Sequence, residues 1–132
     1  MAGRLEDVVL DNGLTILDTA PTHIVICSGE PTTITHASVA GNTAGGTSVL
    51  GWKSLAAGSV FGAPGAAGAT GRKVSSVTVT DGTFLTSGTA NWWAIIAGTS
   101  TFYAHNSLSS SQVVTSGNSF SLNVFDITIP NA

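Results

Sequence analysis

The sequence predicts a mainly β chain, an antiparallel β-sandwich of about seven or eight short strands with a Greek-key or jelly-roll-like crossing. Three observations point there. From His23 onward the apolar residues follow the period of strands. Turn-forming groups break the second half into short runs: Asp81-Gly82, Ser87-Gly88, Gly98-Thr99-Ser100 and Ser116-Gly117-Asn118. With 34 Ser or Thr and 16 Gly among 132 residues, apolar stretches also stay short.

The length fits one domain, divided into an N-terminal segment of residues 1–20 and a β-sandwich of residues 21–132. In the first segment Leu5, Val8, Val9, Ile16 and Leu17 fit one face of a helix. Asn12-Gly13, between Val8–Leu10 and Leu14–Leu17, is a hairpin signal instead. A mid-helix Gly costs about 1 kcal/mol against Ala, and the residue pattern alone leans to the hairpin.

His23–Cys27 is β-branched and apolar on both faces, the pattern of a central strand. Ser28 to Thr47 reads as a long loop, Val49 to Ala57 as one strand around Trp52, and Gly58 to Gly71 as loop. Lys73 to Thr80 and Thr83 to Thr86 read as a hairpin about Asp81-Gly82. Asn91 to Ala97 and Thr101 to His105 complete an antiparallel meander of four strands, and Asn106 to Ser111 is a serine-rich connection. The last strand, Ser119 to Ile129, changes phase: Phe120, Leu122 and Val124 share one face, Phe125, Ile127 and Ile129 the other. A β-bulge near Val124-Phe125 or a strand covered on both faces would reconcile them.

Charge is scarce. Charged residues make up 8% of the chain, against about 25% in ordinary proteins. Five of the 11 lie in residues 4 to 18, and none lies between Gly82 and Phe125. Four Lys and Arg in all argue against nucleic acid as a partner, because phosphate neutralisation takes clustered cations. The longest apolar run, Trp92 to Ala97, is far short of the ~20 residues of a membrane helix, so no membrane partner is expected. Cys27, the only cysteine, excludes an internal disulfide and a multi-Cys zinc site. Charges at Arg4, Glu6, Asp7 and Asp11 replace the apolar core of a signal peptide, which predicts synthesis in a cytoplasm without export.

Catalytic equipment is poor, and no enzyme activity is expected. The carboxylates Glu6, Asp7, Asp11, Asp18, Glu30, Asp81 and Asp126 show no acid–base spacing. His23, His36 and His105 are scattered, so neither a metal nor a cofactor is predicted. Cys27 ends an apolar strand and reads as a buried, inert thiol. Gly65 to Lys73 has the wrong spacing for a phosphate loop, and its Gly at every third residue from Gly62 to Gly71 is too short for a collagen-like helix. Trp52, Trp92, Trp93 and Tyr103 are candidate interface anchors. Adjacent Trp92 and Trp93 must point to opposite faces of a strand, one into the core and one outward unless something covers it.

A surface of Ser, Thr, Gly and Asn suits a subunit packed into a large assembly, where a charge would have to be desolvated. The order of segments resembles small virion structural proteins of tailed bacteriophages and prophages. The resemblance rests on Leu14–Thr19, Thr22 to Pro31, Gly71-Arg72-Lys73-Val74, Val114 to Asn118 and Phe125 to Pro130. It covers most of the chain and departs at Gly98 to Phe102, where a more polar segment bearing an Arg is expected. The resemblance implies a short helix over the N-terminal segment. It also implies a non-enzymatic virion subunit: a capsid decoration (cement) protein, made in the host cytoplasm and bound to the head surface. The implied partners are the major capsid protein and further copies of itself, as a homotrimer. Two rivals stay open: a tail, connector or fibre-associated subunit, and a carbohydrate-binding β-sandwich stacking sugars on Trp52, Trp92 or Trp93.

Overall fold

A computed structural model describes residues 7–40, 43–67 and 71–129. The chain is mainly β, antiparallel and sandwich-like, behind an N-terminal helix. In order the elements are α1 (Asp7–Thr19), β1 (His23–Cys27), α2 (Ile34–Ala37), β2 (Val39–Ala40), β3 (Thr43–Ala44), β4 (Val49–Ser54), β5 (Gly65–Ala66), β6 (Arg72–Ser75), β7 (Val79–Phe84), β8 (Gly88–Ala97), β9 (Thr101–Val114), β10 (Ser119–Leu122) and β11 (Asp126–Ile129). Eight of these strands have four residues or more. The larger sheet runs β10-β7-β4-β1-β8-β9, and a smaller one runs β11-β6-β5.

The N-terminal segment is a helix, not a hairpin. Leu14 and Leu17 drive their side chains into the core, while Ile16 stays half exposed. Gly13 sits where α1 meets β11: a Cβ there would lie 3.4 Å from Ile129 Cδ1. That is ordinary contact distance, so Gly13 is not demanded by space; burial of Leu14 and Leu17 offsets its propensity cost. Arg72 of β6 fastens it from below, donating from Nε to Asp11 Oδ1 (2.6 Å) and from Nη2 to Oδ2 (3.1 Å).

β1 is central, with β4 on one side and β8 on the other, and its last four residues are buried. It is apolar throughout because both faces are covered. On one face Ile24 and Ile95 pack with Leu14 and Leu17 of α1, Val60, Phe61 and Val74. On the other face Val25, Cys27, Ala94, Ile96 and Trp52 pack under Ala37 and Val39. Each fully buried Ile, Leu, Val or Phe contributes about 1.5–3 kcal/mol. The segment read as one long loop, Ser28 to Thr47, therefore supplies this lid, with α2 and the β2–β3 pair inside it.

Three strand assignments change. Asp81-Gly82 is not a turn: β7 runs straight through it, and β6 belongs to the other sheet. The four-strand meander is not formed either. β7 and β8 are separated by β4 and β1, and of the four strands expected in the meander only β8 and β9 form a hairpin, turning at Gly98 with φ +56°. The serine-rich stretch is strand, not connection. Ser107 pairs with Trp92, and Val113 and Val114 pair with Thr89 and Gly88, so β9 is 14 residues long. Between these two paired stretches the ladder breaks: Ala90 pairs with Gln112 and Trp92 with Ser107, so Leu108 to Ser111 bulge out of β9 without a partner on β8.

The phase change near Val124-Phe125 is a change of sheet. β10 pairs with β7 and β11 pairs with β6, so one chain segment closes both layers. Ser76 holds the crossing point: its hydroxyl accepts the Phe125 N–H (3.0 Å), and its own N–H donates to Phe125 O (2.9 Å).

Candidate functional site: an uncharged slot between two strand edges

β9 and β10 are the two edges of the six-stranded sheet, yet four residues of chain separate them. The sheet therefore curls until its edges face one another. Among the described residues they form no ladder with each other. Between them lies a groove of about 700 Å³.

The turn Thr115–Asn118 closes one end of this groove. Gly117 takes φ +92°, which a side chain would resist. Its N–H donates to Phe84 O, and Asn118 O accepts the Phe84 N–H, both at 2.8 Å. Ser116 donates its N–H to Ser87 Oγ (2.9 Å) and its hydroxyl to Leu85 O (3.0 Å). The turn is therefore held by four hydrogen bonds to the end of β7 and its exit.

The floor is aromatic. Trp93 stacks on Phe125 with centroids 4.4 Å apart, Phe125 meets Phe61 edge-on at 5.8 Å, and Phe84 packs on Phe120 at 5.0 Å. Buried Ile26 and Ala90 lie beneath them. The walls are Ser107 to Thr115 along β9 and Asn118 to Asn123 along β10. Among the described residues no Asp, Glu, Lys, Arg or His lines the slot. Val113 (85% exposed) stands at its rim.

The sequence-predicted anchors separate. Trp93 reaches the slot floor and is half-buried. Trp92 lies on the opposite face, half-buried against the lid, 5.8 Å from the His105 ring, which itself stacks on Phe102 at 5.4 Å. The lid of the chain itself, not the N-terminal segment, covers Trp92. Trp52 is 8% exposed and packs in the core, with an edge lining a second, shallower groove beside Lys53, Asp81 and Leu85. Tyr103 is half-buried against the core beneath α1. The slot walls went unnoticed in the sequence because Ser109, Ser110, Ser121 and Asn123 are ordinary residues. Their signal was the missing charge between Gly82 and Phe125.

The remaining charges sit elsewhere. Lys53 pairs with Asp81 (2.9 Å) and Lys73 with Asp126 (3.0 Å). His105 meets Glu30 at 3.3 Å. Burial pushes the Cys27 thiol up to about 12, which removes its nucleophilic form near neutral pH. Among the described residues no three His, Cys, Asp or Glu gather in a metal-binding group. No described helix is long and apolar enough to cross a membrane. No family model, curated protein or solved structure matches the chain. The slot is therefore read from its own geometry: it can pair backbone, pack apolar groups and bond hydroxyls, and it offers no charge.

Proposed function

We propose that the chain is a virion structural protein of a tailed bacteriophage or prophage. Its role is capsid decoration: it binds the outer surface of the head, acts as a homotrimer and cements neighbouring major capsid subunits. One observation supports this reading above the rest. The walls of the β9–β10 groove are two strand edges without an ionised side chain among the described residues, while Lys53, Arg72, Lys73, Asp81 and Asp126 pair off elsewhere. A freely diffusing protein blunts its strand edges with charge, Pro or cover. An edge kept bare and neutral suits a permanent contact, where a charge would cost desolvation.

The mechanism is mechanical. A subunit that binds only the assembled shell stabilises it by mass action and adds buried area at its junctions. Heads stripped of the protein should lose resistance to heat and osmotic shock, and adding it back should restore both. Stripped heads that keep full resistance would remove the cement role. A tail, connector or fibre-associated position shares this surface logic and differs in copy number.

A second reading has its own support. Trp93 floors a slot rimmed by Asn118, Asn123 and serine hydroxyls, a pairing of ring and neutral polar groups that suits a carbohydrate. It predicts a change in tryptophan fluorescence on titration with neutral oligosaccharides.

A further inference from the structure

We propose that the β9–β10 slot takes an uncharged, extended segment of a shell subunit as an added strand, which pairs with one or both edges and fills the sheet's seam. This rests on the reading of the chain as a shell-binding subunit and names the contact it makes.

The walls set the chemistry. Each is an outer edge of the six-stranded sheet that no described strand pairs. On β9 the ladder with β8 also breaks between Ser107 and Gln112, so Leu108 to Ser111 carry backbone donors and acceptors that β8 does not pair either. Extended backbone is the partner that satisfies such rows on a repeat matching their own. The floor and rim set the side chains. In an added strand alternate residues point down and up. Those pointing down meet Trp93, Phe120 and Phe125, and those pointing up emerge beside Val113. Ionised side chains are excluded, because nothing in the slot would compensate their desolvation.

The donor is a different protein. The described strands of this chain are all committed to its own sheets. Its first six residues carry Arg4 and Glu6, charges the slot does not match. The closed turn at Thr115–Asn118 leaves the other end as the entrance, so the segment enters from the side away from Gly117.

The test uses the full chain, undecorated mature heads and hydrogen exchange read by mass spectrometry on free and head-bound protein. Amides of residues 107–114 and 119–122 should gain protection on binding. Ser110→Lys and Ser121→Lys, both at exposed wall positions, should keep the wild-type melting temperature and weaken head binding about tenfold or more, as an unpaired buried ammonium does. Wild-type protein that binds heads without new protection in either strand overturns the added strand and leaves the decoration reading standing. So do folded Lys variants that bind as wild type does. If a Lys variant fails to fold, the exchange result on wild-type protein decides alone. Equal protection in concentrated protein without heads assigns the slot to a second copy, and equal protection by maltohexaose assigns it to a glycan; either overturns the proposal. Protein that binds no heads overturns the decoration reading and this occupant together.

Discussion

The ring of Phe120 fills the space that a side chain on Gly82 would need. The two residues are cross-strand partners in the β7–β10 ladder, and a Cβ on Gly82 would fall inside the Phe120 ring. An aromatic laid over a strand glycine covers backbone that would otherwise be open to water. Here it also fixes β10, one wall of the slot, against β7.

Gly82→Ala should therefore destabilise the fold by about 1–3 kcal/mol, the range for overpacking. The same change in a Phe120→Leu background should cost less, because the smaller side chain gives way. Urea unfolding of the four variants checks this. Additive costs would mean that the two residues do not share the space.

This contact also explains how far the sequence could be read. Asp-Gly is a strong hairpin signal, and the sequence holds no mark that Phe120, 38 positions on, needs Gly82 bare. Local pattern identified β1 correctly, since burial on both faces leaves a continuous apolar run in His23–Cys27. It also placed the turns at Gly98 and Gly117, where positive φ demands Gly. It failed where long-range pairing decides. β9 resumes pairing with β8 at Gln112 after a bulge through Leu108 to Ser111, and the phase change after Asn123 records a switch of sheet. α1 went against the hairpin signal because a helix turns Leu14 and Leu17 together into the core. Of the site, Trp93 and the absence of charge were legible. The facing of β9 and β10 was not, because it is a property of how the whole sheet curls.

Cys27 should be silent to thiol reagents in the native state. Its pKa of about 12 leaves a negligible thiolate fraction at pH 8, and the side chain is fully buried. A disulfide reagent should react with it only in denaturant. Rapid labelling of folded protein would show that the lid over this face opens readily.

Acid should weaken the fold in two stages. Burial holds the His23 imidazole below its ordinary value, and the Thr22 hydroxyl, which accepts the Gly98 N–H, lies 2.8 Å from Nδ1. The unfolded chain binds that proton more readily, so stability falls as pH drops through about 6.5. Asp126 is held low by the Ser75 hydroxyl first and the Lys73 ammonium second. Its contribution is present above the ordinary carboxylate pKa of about 3.9 and is lost as pH falls through the lower folded value. His23→Gln should flatten the first stage and Asp126→Asn the second, measured as melting temperature against pH. Unchanged slopes in the variants would remove these two groups as the cause.

The Arg72–Asp11 fork should anchor α1. Both side chains are about two-thirds buried or more, and two charge-assisted bonds connect them. Asp11→Asn should cost about 1–3 kcal/mol and expose α1 first. Limited proteolysis of α1 before the sheets melt is the expected result, and simultaneous loss of helix and sheet would contradict it.

The proposal that this chain is a building part of a virion shell is tested most directly by its copy number in purified virions, by quantitative mass spectrometry against the major capsid protein. Decoration of the shell requires a ratio near one copy per capsid subunit. A small number matching a ring symmetry would move it to the tail or connector. Complete absence from virions would contradict the claim.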